Sequence, residues 1–146
     1  MSEGDRRSGA SSIVRIAKVV DGLTCASFAR RTALEAGFDP DAAAEIGTCA
    51  SELATNVARH AGGGTLEVQR DGRGLVLCTR DHGPGTARGL QALLARIRAD
   101  PDHPSALHGL GVLVRWMDDV EVHDAEPGGV EIRARRELWA RAPRPR

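Results

Sequence analysis

Charge of one sign is what this chain lacks first: twenty Lys and Arg offset twenty Asp and Glu over 146 residues. A balanced chain has no general attraction for nucleic acid or an anionic membrane. Long apolar runs are missing too. Nothing approaches the ~18 consecutive apolar residues of a membrane-spanning helix, and Met1-Ser2-Glu3-Gly4-Asp5-Arg6-Arg7 leads into no signal core. The three cysteines, Cys25, Cys49 and Cys78, are odd in number, widely spaced and free of any CxxC pattern. That excludes a disulfide framework and makes them small reduced core residues of a cytosolic protein. His60, His82, His103, His108 and His123 form no zinc-ligand spacing. No GxxxxGK[ST] loop, no GxGxxG after a first strand and no nucleophile elbow occurs, so P-loop enzymes and triad hydrolases are unsupported.

What is present suits one domain, with 41% apolar residues for a single core. Residues 1–10 have the composition of a disordered lead-in. Residues 11–137 form the domain, and 138–146 an Arg/Pro-rich tail. Six arginines (Arg133, Arg135, Arg136, Arg141, Arg144, Arg146) crowd the last fourteen residues, a run that is commonly just solvated. Ile13-Val14-Arg15-Ile16 reads as a strand, and Asp21 as the cap of a helix reaching Ala36 and stopped at Gly37. Asp39-Pro40 starts a second helix, with Asp39 as N-cap and Gly62-Gly63-Gly64 as its stop near Ala61. Residues 65–69 and 75–79 make a hairpin around Asp71-Gly72-Arg73-Gly74. A helix over 90–99, the breaker-rich stretch 100–104 and a short helix over 109–117 follow, then strands at 120–123 and 130–134. This order implies an α+β two-layer sandwich, one mixed sheet with helices over a single face.

The second helix holds the most informative residues. Glu52 and Asn56 are four apart, so they present two oxygen-bearing side chains to one volume. Alone, such a pair is most often a solvated helix face. Asn is a poor interior helix residue, however, and at ~100° per residue the pair borders the apolar stripe Ile46, Cys49, Ala50, Leu53 and Val57. After the hairpin comes Asp81-His82-Gly83-Pro84-Gly85. A turn there would be unremarkable by itself. A carboxylate ending a buried strand can also accept from an exocyclic amine, and glycines let backbone approach a planar base.

These motifs together resemble the GHKL superfamily of ATPases and kinases (the Bergerat fold), and within it the small bacterial anti-sigma-factor and stress-switch serine/threonine kinases. The resemblance covers about residues 12–136: Ser51 to Gly64 as the N box, Asp81 to Gly85 as the first glycine box, and Gly109-Leu110-Gly111 through Asp118 as the second glycine box and its helix. It implies that Glu52 is the general base or polariser for the attacking hydroxyl and that Asn56 ligates Mg²⁺ bridging the phosphates. It further implies that Asp81 accepts from the adenine amine, with Gly83, Gly85, Gly109, Leu110 and Gly111 completing the ATP site. The expected cofactors are ATP and Mg²⁺.

The implied activity is phosphorylation of a STAS-type antagonist protein in a partner-switching pathway that controls a sigma factor or a phosphatase in a stress response. Homodimers or larger signalling assemblies fit the same subgroup. The pattern departs at two positions. Leu107 stands where the first glycine of the lid is expected, and Val130 replaces a threonine whose hydroxyl supports the adenine aspartate through water, a bond valine cannot make. The alternative is therefore a non-catalytic or weakly ATP-binding interaction module with a degenerate lid. A third reading, the ATP-binding domain of a histidine kinase, lacks a preceding phospho-acceptor helix pair.

Overall fold

The computed structural model describes residues 11–106 and 108–138. The lead-in at 1–10, Leu107 and the tail from 139 onward lie outside the described residues. Nine elements follow one another: β1 (Ser11–Ile16), α1 (Asp21–Ala36), α2 (Pro40–Ala61), β2 (Gly64–Arg70), β3 (Gly74–Asp81), α3 (Ala87–Ala99), α4 (Leu110–Trp116), β4 (Asp119–Asp124) and β5 (Val130–Glu137).

The helix boundaries show where local chemistry suffices. Asp39 accepts from the Ala42 N–H at 2.8 Å, Pro40 takes the first helical position, and Gly62 closes α2 in the left-handed region. The expected cap at Asp21 is corrected. This residue sits inside the first turn of α1, and its carboxylate turns back to accept from the N–H groups of Ala17 and Lys18, both at 2.8 Å. Those bonds hold the carboxyl below its ordinary pKa. Helix α3 starts three residues before the expected position, because the Ala87 N–H donates to Asp124 Oδ1 at 2.8 Å. That cap comes from the far end of the chain, where no local pattern reveals it.

The sheet runs β1-β2-β3-β5-β4 and is antiparallel at every ladder. The expectation of a mixed sheet is corrected here. The β3–α3–α4–β4 segment does return in the same direction, but β5 folds back into the gap and pairs with both strands, so the parallel pair never touches. Inward-facing Leu66, Val68, Leu75, Leu77, Ile132 and Ala134 meet Cys49, Leu53 and Val57 of α2 in one core. The other sheet face carries ion pairs such as Arg80–Glu131 at 2.9 Å and Arg135–Asp71 at 2.8 Å. Helix α3 covers the outer edge of β4, with Gln91 and Arg98 donating to the Val122 and Val120 carbonyls, which blunts an otherwise open strand edge. None of the three cysteines is in a disulfide, and all are buried. Burial pushes the thiols of Cys25 and Cys78 up to about 11.

Candidate functional site

Where α2, the ends of β3 and β5, and the segment leading into α4 converge, they enclose a cavity of about 450 Å³. That is within the range of small-molecule sites. Asn56 lines it from α2, Asp81 from the end of β3, Gly85 from the following loop, and Gly109 and Leu110 from the start of α4. Five of the residues singled out in the sequence therefore meet in one hollow, although 54 positions separate Asn56 from Leu110.

Asp81 is held by backbone alone. Its Oδ1 accepts from the Gly83 N–H at 3.0 Å and the Val130 N–H at 3.1 Å, and its other carboxylate oxygen has no hydrogen-bond partner among the described residues. The carboxylate is thus fixed by one oxygen while the second stays available to a donor. The missing threonine hydroxyl is answered here. The first N–H of β5 already anchors Asp81, and the Val130 side chain serves as apolar cavity wall. This contact needs Gly129, which has φ +96°. A Cβ there would overlap the Asp81 carbonyl oxygen and lie 2.7 Å from Asp81 Oδ1.

Asn56 is half-buried, and no protein group bonds its carboxamide among the described residues. Glu52 is half-buried on the same helix, one turn or about 6 Å earlier, but it does not line the cavity. It lines a separate polar groove of about 370 Å³ between α1 and α2, with Ser27, Arg30, Thr48 and Ser51. The i, i+4 pair therefore straddles two openings.

Gly83 and Gly111 also lie outside the cavity lining. A Cβ on Gly83 would fall 2.8 Å from Ala61 Cα, so that glycine lets the β3–α3 loop press against the end of α2. Gly111 similarly lets α4 press against the backbone of Ser105 and Ala106. Several lining residues escaped the sequence reading, namely His60, Thr86, Leu90, Leu93, Ser105 and His108. His60 was legible in principle, since it follows Asn56 by four and shares its face. Leu90 and Leu93 look like any apolar helix stripe, and nothing local says that they face a cavity.

The donors fit a nucleotide and its magnesium. Mg²⁺ keeps several waters and takes one or two protein oxygens plus substrate phosphates, which suits an unengaged carboxamide at Asn56. Among the described residues no group of three or more His, Cys, Asp or Glu could hold an ion unaided. No helix among them is long and apolar enough to cross a membrane.

Comparison with known proteins finds relatives of this chain. The serine/threonine-protein kinase RsbT of Bacillus subtilis (strain 168) is 30% identical over 129 residues, covering 84% of this chain and 93% of that protein. The family model described as a histidine kinase-like ATPase domain matches residues 22–136, from the start of α1 to the end of β5. A chain that this family model matches over residues 22–136, and whose strand-end aspartate and helix asparagine meet in one cavity, belongs to the histidine kinase-like ATPase domain family.

Proposed function

We propose that this chain is a cytoplasmic ATP- and Mg²⁺-dependent protein serine/threonine kinase that phosphorylates a hydroxyl on a small STAS-type antagonist in a partner-switching pathway. The observation that carries the reading is the straddling pair: Asn56 opens on the cavity that holds Asp81, and Glu52 opens on the neighbouring groove between α1 and α2. The family match and the kinase name of the Bacillus relative support it. In this reading the free oxygen of Asp81 accepts from the adenine amine, and Gly85, Gly109 and Leu110 bound the nucleotide. The Asn56 carboxamide oxygen supplies the protein ligand for magnesium. Bound Mg²⁺ neutralises charge on the phosphates and holds them in line.

Glu52 has no ion-pair or hydrogen-bond partner among the described residues. The acceptor hydroxyl enters along the α1–α2 groove, Glu52 takes its proton as the oxygen bonds to the γ-phosphorus, and ADP leaves. A positioned base contributes roughly 10²–10⁴ in rate.

The test is transfer of label from γ-labelled ATP to a STAS-type antagonist. Glu52→Ala lowers transfer by about 10²-fold or more with nucleotide affinity and melting temperature retained. Asn56→Ala loses both transfer and the magnesium dependence of binding. Transfer that is indifferent to Glu52 sinks the assignment. A wild type that binds the antagonist but transfers nothing is a non-catalytic interaction module instead.

A further inference from the structure

The strongest feature the kinase reading leaves unused is a hollow of about 390 Å³ on the far side of the segment that leads into α4. Its walls are apolar: Ile97 from α3, Pro101 and Ala106 from the connection, and Val114 from α4. Arg98 and Arg115, both exposed, also line it. Neither guanidinium has a carboxylate partner among the described residues. Arg98 spends one N–H on the Val120 carbonyl at 2.9 Å, and Arg115 lies 5.9 Å from the Trp116 ring centroid. Each keeps donors to spare.

We propose that this hollow between α3 and α4 is a second ligand site, which takes a small amphipathic carboxylate. Three features of the hollow specify that chemistry. The volume suits a small molecule, the walls desolvate an apolar body, and the two arginines of the lining supply guanidiniums that match a carboxylate head through charge-assisted hydrogen bonds. Its place gives it reach. Ser105 and Leu110 line the nucleotide cavity while their neighbours Ala106 and Gly111 line this one, so two pairs of adjacent residues are wall to both. The contact of Gly111 with the Ser105 and Ala106 backbone, which no side chain beyond glycine would permit, keeps that wall thin. The proposal stands whether or not the chain transfers phosphate.

The experiment titrates octanoate, octanol and acetate into the full chain by calorimetry. Octanoate binds saturably at one site, while octanol, lacking the charge, and acetate, lacking the apolar body, bind at least ten-fold more weakly. The double variant R98Q/R115Q weakens octanoate at least ten-fold, and Val114→Trp, which fills the hollow, abolishes it. If Val114→Trp fails to fold, amide shifts of the wild type decide the location: Ala106 and Gly111 move on octanoate addition more than Asn56 and Gly85 do. No saturable binding, octanol as tight as octanoate, binding indifferent to both variants, or shifts centred on Asn56 and Gly85 would each overturn the proposal.

Discussion

The two walls of the cavity that Asn56 and Asp81 line are built differently. On the strand side, Asp81 is clamped by N–H groups from its own loop and from β5, and Gly129 lies so close that no side chain fits. On the opposite side, the residues flanking the start of α4 are tied by short-range bonds, with Ala106 N donating to the His103 carbonyl and Gly111 N to that of His108. Gly109 has a positive φ as well, 49°, yet a Cβ there would meet nothing within 4 Å. The strand-side wall is fixed by long-range pairing in the sheet, and the other wall by local bonds over a short span. In the proposed reading, discrimination of the base thus rests on the sheet framework, while the other side of the cavity is shaped by residues held through local bonds.

The comparison predicts a graded set of outcomes. Gly129→Ala is the most damaging, because overlap with Asp81 adds to the cost of a positive φ. A loss of about 3 kcal/mol or more is expected, read as a drop in the chemical-denaturation midpoint together with lost nucleotide binding. A stable Gly129→Ala protein would mean the strand-side wall is not rigid. Asp81→Asn comes next. The Oδ1 contacts survive, but the free oxygen becomes an NH₂ opposed to the adenine amine, so ATP affinity falls about 10²-fold while the melting temperature stays put.

Gly109→Ala has open space around it and costs only the backbone term, about 1 kcal/mol, with a several-fold loss in ATP affinity. An effect as large as that of Gly129→Ala would erase the contrast between the walls. The smallest effect lies away from the cavity. Hydrogen bonds from Arg135 chiefly, then from the Arg73 and Gly74 N–H groups, hold the Asp71 carboxyl below its ordinary value against a weaker opposing effect of burial. A depressed folded pKa means this contribution is complete above the unfolded value, ~3.9, and is lost as pH falls through the folded one. Asp71→Asn therefore lowers stability modestly at neutral pH and leaves it nearly unchanged in strong acid. A deficit that persists undiminished at pH 2 would show that the ion pair is not its source.

Legibility in the sequence followed the range of the interactions. Asp39, Pro40 and Gly62 set the ends of α2 through contacts within a few residues, and these ends were readable. Asp71 closed its turn on Arg73 and Gly74 and was readable too. The start of α3 was not, because its cap is Asp124, 37 positions away. Nor was the antiparallel sheet, since the place of β5 depends on which gap a returning strand fills. Within the site, the spacing from Glu52 to Asn56 told that they share a helix face. It could not tell that a packed α1 would open a separate groove under Glu52.

The sequence by itself determined the helices and strands, the family through the residues of its boxes, and the oxygen-bearing groups available for a nucleotide. Periodicity and capping act over one or two turns and are written in the order of residues. Only the tertiary structure decided that Asp81 is anchored by the backbone of β5 despite the valine at 130, that Glu52 and Asn56 face different openings, and that Gly83 and Gly111 serve close packing. These outcomes depend on which surfaces meet across the core, and close packing of distant segments is a property of the whole chain.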